Sequence, residues 1–351
     1  MIPLLYSLHS GNLYGTERMA LATAIGLRDQ FSTTFIAPAG PIHEEARHLG
    51  FATLLFTTPL HYASDLRPFF QQNSQIACVS TRVLHTLTAE LWSRLYRRRC
   101  ANLQVVHGGA DERLSYGRKR WLNRLGAKQV AVSKYVKERM EAHGAEPGAI
   151  TVIENFLTPE RVESAVQRPP FQQSGLQRVA IISRLDPIKR IDLLLDTLDL
   201  DPSLRSVQFD IFGSGSEEQT LRCRALSSHP NVQFHGFRSD VAERVSQADL
   251  LLHLCPEEPF GLAILEAMAA RLVVLVPDAG GAGAIVNDGQ NGFHFPANDA
   301  RGLAAKLHSL RCASAEKLQQ VVAAGMHSLR TRFSADHGVS KYRRLIEQCL
   351  Q

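Results

Sequence analysis

No apolar run in this sequence approaches the roughly 18 residues that a membrane span needs. The opening MIPLLYSL is too short for the apolar core of a signal peptide and lacks a basic start. The expectation is a cytoplasmic protein. The six cysteines (Cys78, Cys100, Cys223, Cys255, Cys312 and Cys349) are scattered, with no CxxC pair and no histidine at metal-ligand spacing. That pattern excludes a disulfide framework and a zinc finger, and the cysteines read as reduced thiols. Repeats, low-complexity tracts and heptads are missing too, which excludes solenoids and coiled coils. The basic stretches lack the interleaved aromatics that stack on bases, which argues against nucleic acid as a partner.

What is present is apolar content of 44% and charge of 21% over 351 residues, more than a single core usually supports. Short β-rich runs (IPLLYSL, FSTTFIA, ATLLF, IACVS, LQVVH, KQVAVS) alternate with stretches of helical period such as TERMALATAIGLRDQ. This is the signature of a parallel sheet wrapped by helices, an α/β fold. The stretch QRPPFQQSGLQ interrupts it, and then RVAIIS, SVQFDIF, NVQFHG, DLLLHL and LVVLVP restart it. The expected organisation is a domain over 1–165, a hinge over 166–177, a second doubly wound domain over 178–330, and a helical segment over 331–351 that returns toward the first domain.

Ligands of open α/β sheets bind beyond the carboxyl ends of the strands, so the residues after each run are the candidates. RVAIIS is followed by RLDPIKR, which supplies Arg184 and Lys189. DIF is followed by GSGSEE, and DLLLHL by CPEEPFGLAILEAMAA. GSGSEE lacks the third glycine of a dinucleotide fingerprint, so it reads as a tight turn in which Gly213 lets a ligand come close. The Asp199-Leu200-Asp201 triplet imitates a metal clip, but it ends a helix before Pro202 and reads as turn-capping acid. In EPFGLAILE, Glu258 precedes a helix that begins near Gly261 or Leu262, and Glu266 sits in its second turn. One carboxylate can accept both hydroxyls of a ribose diol, the other can serve a group further along, and the free amides of the helix terminus suit a diphosphate between them.

Together, RLDPIKR, GSGSEE, VQFHGF, ADLLLHLCPEEPFGLAILEAMAA and GGAGAIVNDGQNGF resemble the C-terminal half of the retaining family-4 glycosyltransferases. The resemblance implies the GT-B fold, two Rossmann-like domains facing each other across a cleft. It also implies a nucleotide-sugar donor (UDP-, GDP- or ADP-linked), a glycan, glycolipid or other lipid-linked acceptor, retention of configuration, and neither metal nor cofactor. By the same resemblance Glu266 takes the ribose, Glu258 the sugar, Arg184 and Lys189 the diphosphate, and the backbone of Phe260, Gly261 and Leu262 surrounds sugar and phosphates. YGTER resembles a glycine loop after the first strand, with Gly15 near donor or acceptor. The alternative is a plain turn before a helix capped by Thr16. His107, ending LQVVH before Gly108 and Gly109, matches a histidine facing the donor sugar, against the alternative of a structural role. Ala284, Arg271 and Val273 depart from the family pattern of glutamate, glycine and proline.

Residues 91–140 carry 13 Lys and Arg against three Asp and Glu. The excess reads either as a solvated face or as a dock for an anionic membrane or acidic acceptor, placing the protein peripherally on the inner face of a membrane. The functional readings are a hexosyltransferase, an epimerase or phosphorylase on the same architecture, and a donor-binding subunit without turnover.

Overall fold

The computed structural model describes residues 1–108, 116–173, 175–238 and 240–351. Gly109, expected beside His107, lies outside the described residues, as does 109–115 of the basic segment. The described residues divide into two compact units, Met1–Phe156 with Ala335–Gln351, and Leu157–Ser334.

In the first unit the order is β1 (Ile2–Ser7), α1 (Gly15–Leu27), β2 (Phe31–Ala37), α2 (Ile42–His48), β3 (Ala52–Leu55), α3 (Pro59–Gln72), β4 (Gln75–Ser80), α4 (Val83–Leu95), β5 (Arg99–Val106), β6 (Lys128–Ala131), α5 (Lys134–Ala142) and β7 (Ile150–Val152). The strands form a parallel sheet ordered β3-β2-β1-β4-β5-β6-β7. β1 is an inner strand beside the central β4, with Ile2 opposite Phe31 and Leu4 opposite Ala77. Helices cover both faces of such a sheet, so its inner strands read as unbroken apolar runs rather than as alternation. One helix packs against type: α4 buries His85, Thr86, Thr88, Ala89 and Ser93 and leaves leucines outside.

The second unit contains α6 (Pro159–Glu163), β8 (Arg178–Ile182), α7 (Ile191–Leu200), β9 (Gln208–Phe212), α8 (Glu218–Ser228), β10 (Val232–Gly236), α9 (Val241–Val245), β11 (Leu250–Leu252), α10 (Leu262–Ala269), β12 (Val273–Pro277), α11 (Gly280–Ile285), β13 (Phe293–Phe295), α12 (Ala300–Arg311) and α13 (Ala315–Arg330). Its parallel sheet is ordered β10-β9-β8-β11-β12-β13, over a core that includes Val179, Ile181, Leu194, Phe209, Leu250 and Leu275. The last helix, α14 (Ala335–Leu350), belongs to the first unit, where Arg343 pairs with Asp29 at 2.9 Å.

The passage between units falls at Phe156/Leu157 and again at Ser334/Ala335, not in the expected hinge over 166–177. The reason is a single acid. Asp249, at the foot of β11, pairs with Arg168 at 2.9 Å and accepts the backbone N–H groups of Gln177 and Arg178. Arg168 also lies 3.6 Å over the Phe171 ring. Prolines and glutamines made this stretch look like a linker, yet its polar groups are spent on the second unit.

The decoys resolve as turn chemistry. Asp201 accepts from Ser203 N–H at 3.0 Å, and Asp199 pairs with Arg224 and His229. Gly213 sits at φ 131° where β9 leaves the sheet, and a Cβ there would lie 1.9 Å from the Ser183 carbonyl oxygen. The close approach lets the loops after β8 and β9 bond to each other, Leu185 N–H to Ser214 O at 3.0 Å and Glu217 N–H to Leu185 O at 2.8 Å. Gly213→Ala should therefore cost about 2 kcal/mol or more in urea unfolding, since backbone must move. An unchanged midpoint would show that the loop contact is dispensable.

Candidate active site

In the second unit the strand order reverses between β8 and β11, and an open α/β sheet places its ligand crevice at such a switch point. The two loops leaving these strands meet there. After β8 a 3₁₀ turn over Pro187–Lys189 ends at Arg190, whose left-handed backbone (φ 55°) starts α7. Lys189 Nζ donates to Glu258 Oε2 at 2.6 Å, and both side chains are 16% exposed.

Burial alone would push the Glu258 carboxyl up. The Lys189 charge, then His253 and Arg184, outweigh it and hold the group below the usual carboxylate range. Burial likewise pulls Lys189 down, but Glu258 leaves it above an ordinary lysine. The pair is thus a buried ion pair at neutral pH. His253 Nε2 lies 3.6 Å from the same Glu258 oxygen. Burial lowers this imidazole to about 4, against the pull of Glu258 and with the push of Lys189, so it is neutral. Arg184 stands at the solvent side, 71% exposed and paired with Asp186 at 2.9 Å.

Gly261 adopts φ 104° and turns the chain into α10, whose first turn no side chain caps. Ile264 N–H already donates to Gly261 O at 3.0 Å, and the amides ahead of it are the ones a helix start offers to an anion. Gly281 N–H donates to the Glu258 carbonyl at 2.7 Å and so ties the start of α11 to the same loop. Glu266, half-exposed on α10, pairs with Arg161 of α6 at 3.4 Å. Phe260 is buried with its ring 6.0 Å from that of Phe333, and Leu262 is half-buried.

Of the residues read from sequence, Lys189 and Glu258 are in direct contact, Arg184 adds its charge to theirs, and Gly213 supports their loop from behind. Gly15 and His107 belong to the first unit. Gly15 opens α1 after the N-cap Tyr14, whose N–H donates to the buried Glu17 at 3.1 Å, so Thr16 is not the cap. His107 follows β5; its Nε2 is buried with no partner among the described residues, and burial, helped by His9 and Lys119, pushes the ring down to about 3.

Arg271 has φ 61°, a left-handed position where the family's glycine would sit without strain. Val273 uses the N–H that a proline would lack, donating to Asp249 O at 3.1 Å. Ala284 offers only its carbonyl, to Arg332 at 3.0 Å.

Sequence reasoning missed three neighbours: Arg161, His253 and Cys255. The ligand atoms of His253, Cys255 and Glu258 lie within 4.8 Å of one another, a soft donor set of zinc type rather than a magnesium site. The signal was in HLC after β11, hidden because the third ligand is three residues further on a loop.

Residues 167–325 match the family described as glycosyl transferases group 1. The phosphatidyl-myo-inositol mannosyltransferase of Mycobacterium leprae is 30% identical over 208 residues, 58% of this chain and 54% of that protein. The N-acetyl-alpha-D-glucosaminyl L-malate synthase of Bacillus anthracis is 26% identical over 67% of this chain and 64% of its own length. The chain thus spans between about half and two thirds of these relatives. Anabaena HepE, crystallised with UDP-glucose, superposes with a TM-score of 0.79 at 21% identity, covering 99% of this chain and 100% of that one. That likeness establishes the GT-B fold, two doubly wound α/β units.

Proposed function

We propose that the chain, whose residues 167–325 match the family described as glycosyl transferases group 1, moves a hexose from a nucleotide-diphosphate sugar to a glycan, glycolipid or other acceptor, with retention and without a metal. The observation that carries this reading is the Lys189–Glu258 pair, set at the switch point beside the uncapped start of α10.

In this reading the diphosphate takes Lys189 and Arg184 as counter-charges and the α10 amides as donors. Lys189 exchanges part of its contact with Glu258 for the leaving phosphate, and the freed carboxylate accepts from a sugar hydroxyl. Glu266 exchanges Arg161 for the ribose diol. In the first unit, His107, neutral at physiological pH, and the Gly15 loop are the residues this reading puts forward for mutation. The anomeric carbon–oxygen bond breaks with its electron pair going to the diphosphate. An acceptor hydroxyl attacks from the same face, and its proton passes to the departing phosphate oxygen. Fixed cations then supply the charge stabilisation that a divalent ion supplies elsewhere.

Two features support independence of a metal. Glu266 is paired with Arg161, and the soft His253-Cys255-Glu258 set already has Lys189 Nζ on its carboxylate. The test is a thermal-shift series in EDTA with UDP, GDP and ADP and their sugars. One nucleotide class should raise Tm by several degrees through preferential binding to the folded state. A shift that appears only with Mg²⁺, or with no nucleotide at all, would remove the reading.

A further inference from the structure

No helix of the described residues is long and apolar enough to cross a membrane. The apolar surface of α4 therefore needs a different explanation. Leu84, Leu87, Leu91 and Leu95 fall at spacings of three, four and four, one face of the helix, and are 42%, 39%, 60% and 61% exposed. The opposite face buries His85, Thr86, Thr88, Ala89 and Ser93, with Trp92 packed at the edge of the core. Thr86 donates to Gln104, Asn102 donates to the Thr86 carbonyl at 2.9 Å, and Trp92 Nε1 donates to Ala63 O at 2.9 Å. An amphipathic helix of a globular core has the reverse polarity. The leucines are not a packing remainder, because the helix is already anchored through its polar side.

The segment 116–126 lies alongside. Arg94 Nη2 donates to Leu125 O at 2.7 Å, and Gly126 adjoins Glu90. The crossover through α4 and the connection from β5 to β6 advance the same way along the sheet, so both lie on one face of it, where Trp121 is 49% and Leu125 36% exposed. Arg120 and Arg124 flank the indole, 5.0 and 4.6 Å from its centre. Arg97, Arg99 and Arg118 are also exposed, whereas the sole acid of α4, Glu90, is spent on Arg94 at 2.7 Å. Several members of the basic segment drop out, Arg94 on Glu90 and Arg124 on Glu146 at 3.2 Å among them. Lys119 is buried, and the Arg98 guanidinium donates to the Phe70 and Gln71 carbonyls.

We propose that the outer face of α4, with Trp121 and Leu125 beside it, docks on an anionic bilayer, the leucines and indole entering the interface and the arginines meeting lipid phosphates. A leucine row rimmed by cations and an interfacial tryptophan is the pattern of a helix lying in the membrane plane. A second copy of the chain fits poorly, since a two-fold contact through this face would set the arginines against themselves. The proposal does not rest on the transfer reading, as it needs neither donor nor turnover.

The test uses the full chain and vesicles of phosphatidylcholine with and without phosphatidylglycerol. Phosphatidylglycerol should tighten co-sedimentation by about tenfold or more, with loss in high salt. The chain has two tryptophans, so in a Trp92→Phe background the emission of Trp121 should shift to the blue on anionic vesicles. Leu91→Glu with Leu95→Glu should weaken binding by about tenfold or more while Tm stays within a few degrees, because both positions face solvent. Wild-type binding by that double variant, or equal indifference of the wild type to both vesicles, overturns the proposal. Self-association lost in the same variant, without vesicle binding, would assign the face to a second copy and overturn it as well.

Discussion

Lys189→Ala should slow turnover by about 10²–10³-fold, the usual cost of deleting one donor aimed at developing charge. It should also destabilise the fold by about 3 kcal/mol, because it leaves Glu258 in a buried position without its partner. Glu258 then relaxes by taking up a proton, as burial already pushes its carboxyl up. Added Mg²⁺ should not restore the rate, since the neighbouring ligands are a thiol, an imidazole and that protonated carboxyl. The change is read by single-turnover kinetics and urea unfolding on the same preparation. Arg184→Ala should lose turnover without the stability penalty, because Arg184 is 71% exposed and its Asp186 partner is part of the solvated rim. Near-normal turnover in both variants would reduce the two cations to surface chemistry.

Glu258→Gln should have a comparable effect on turnover and almost none on affinity for the plain nucleoside diphosphate. The amide keeps the shape but not the charge, so the sugar hydroxyl loses a charged acceptor for a weaker neutral one while the diphosphate still meets Lys189. Glu266→Ala should do the opposite and weaken the plain nucleotide by about 1.5–3 kcal/mol, the value of hydrogen bonds to a charged group. Equal losses of nucleotide affinity in both variants, measured by calorimetry, would reject the division of roles. The pH profile follows from the same pair. Glu258 titrates below its ordinary value, so its contribution to stability is present above the ordinary carboxylate range and is lost as pH falls through the folded value. Lys189 titrates above its ordinary value, so its contribution is present below that value and is lost as pH rises through the folded one. Stability should be flat through neutral pH.

The strands and the switch-point loops were legible because periodicity and glycine turns are local signals: EPFG breaks where Gly261 takes φ 104°, and GSGS where Gly213 clears Ser183. Arg184, Lys189 and Glu258 were legible because position after a strand fixes the end of the sheet. Pairing was not. Nothing local says that Glu266 takes Arg161, that His253 leans on Glu258, or that Asp249 gathers Arg168 and the 166–177 stretch into the second unit. The outward leucines of α4 were not legible, because composition records how many leucines a helix has and not which way they face. The basic segment was read as one block, yet it divides into a buried Lys119, a carbonyl-bound Arg98 and the exposed rim around Trp121.

The most direct test is release of nucleoside diphosphate from UDP-, GDP- and ADP-hexoses in EDTA, with a lipid and glycan extract as acceptor, comparing the wild-type chain with Lys189→Ala. One donor should be consumed by the wild type without metal, and its release should fall by about 10²-fold or more in the variant. No release from any donor by the wild type, or equal rates in the two proteins, would contradict the assignment of this site to hexosyl transfer.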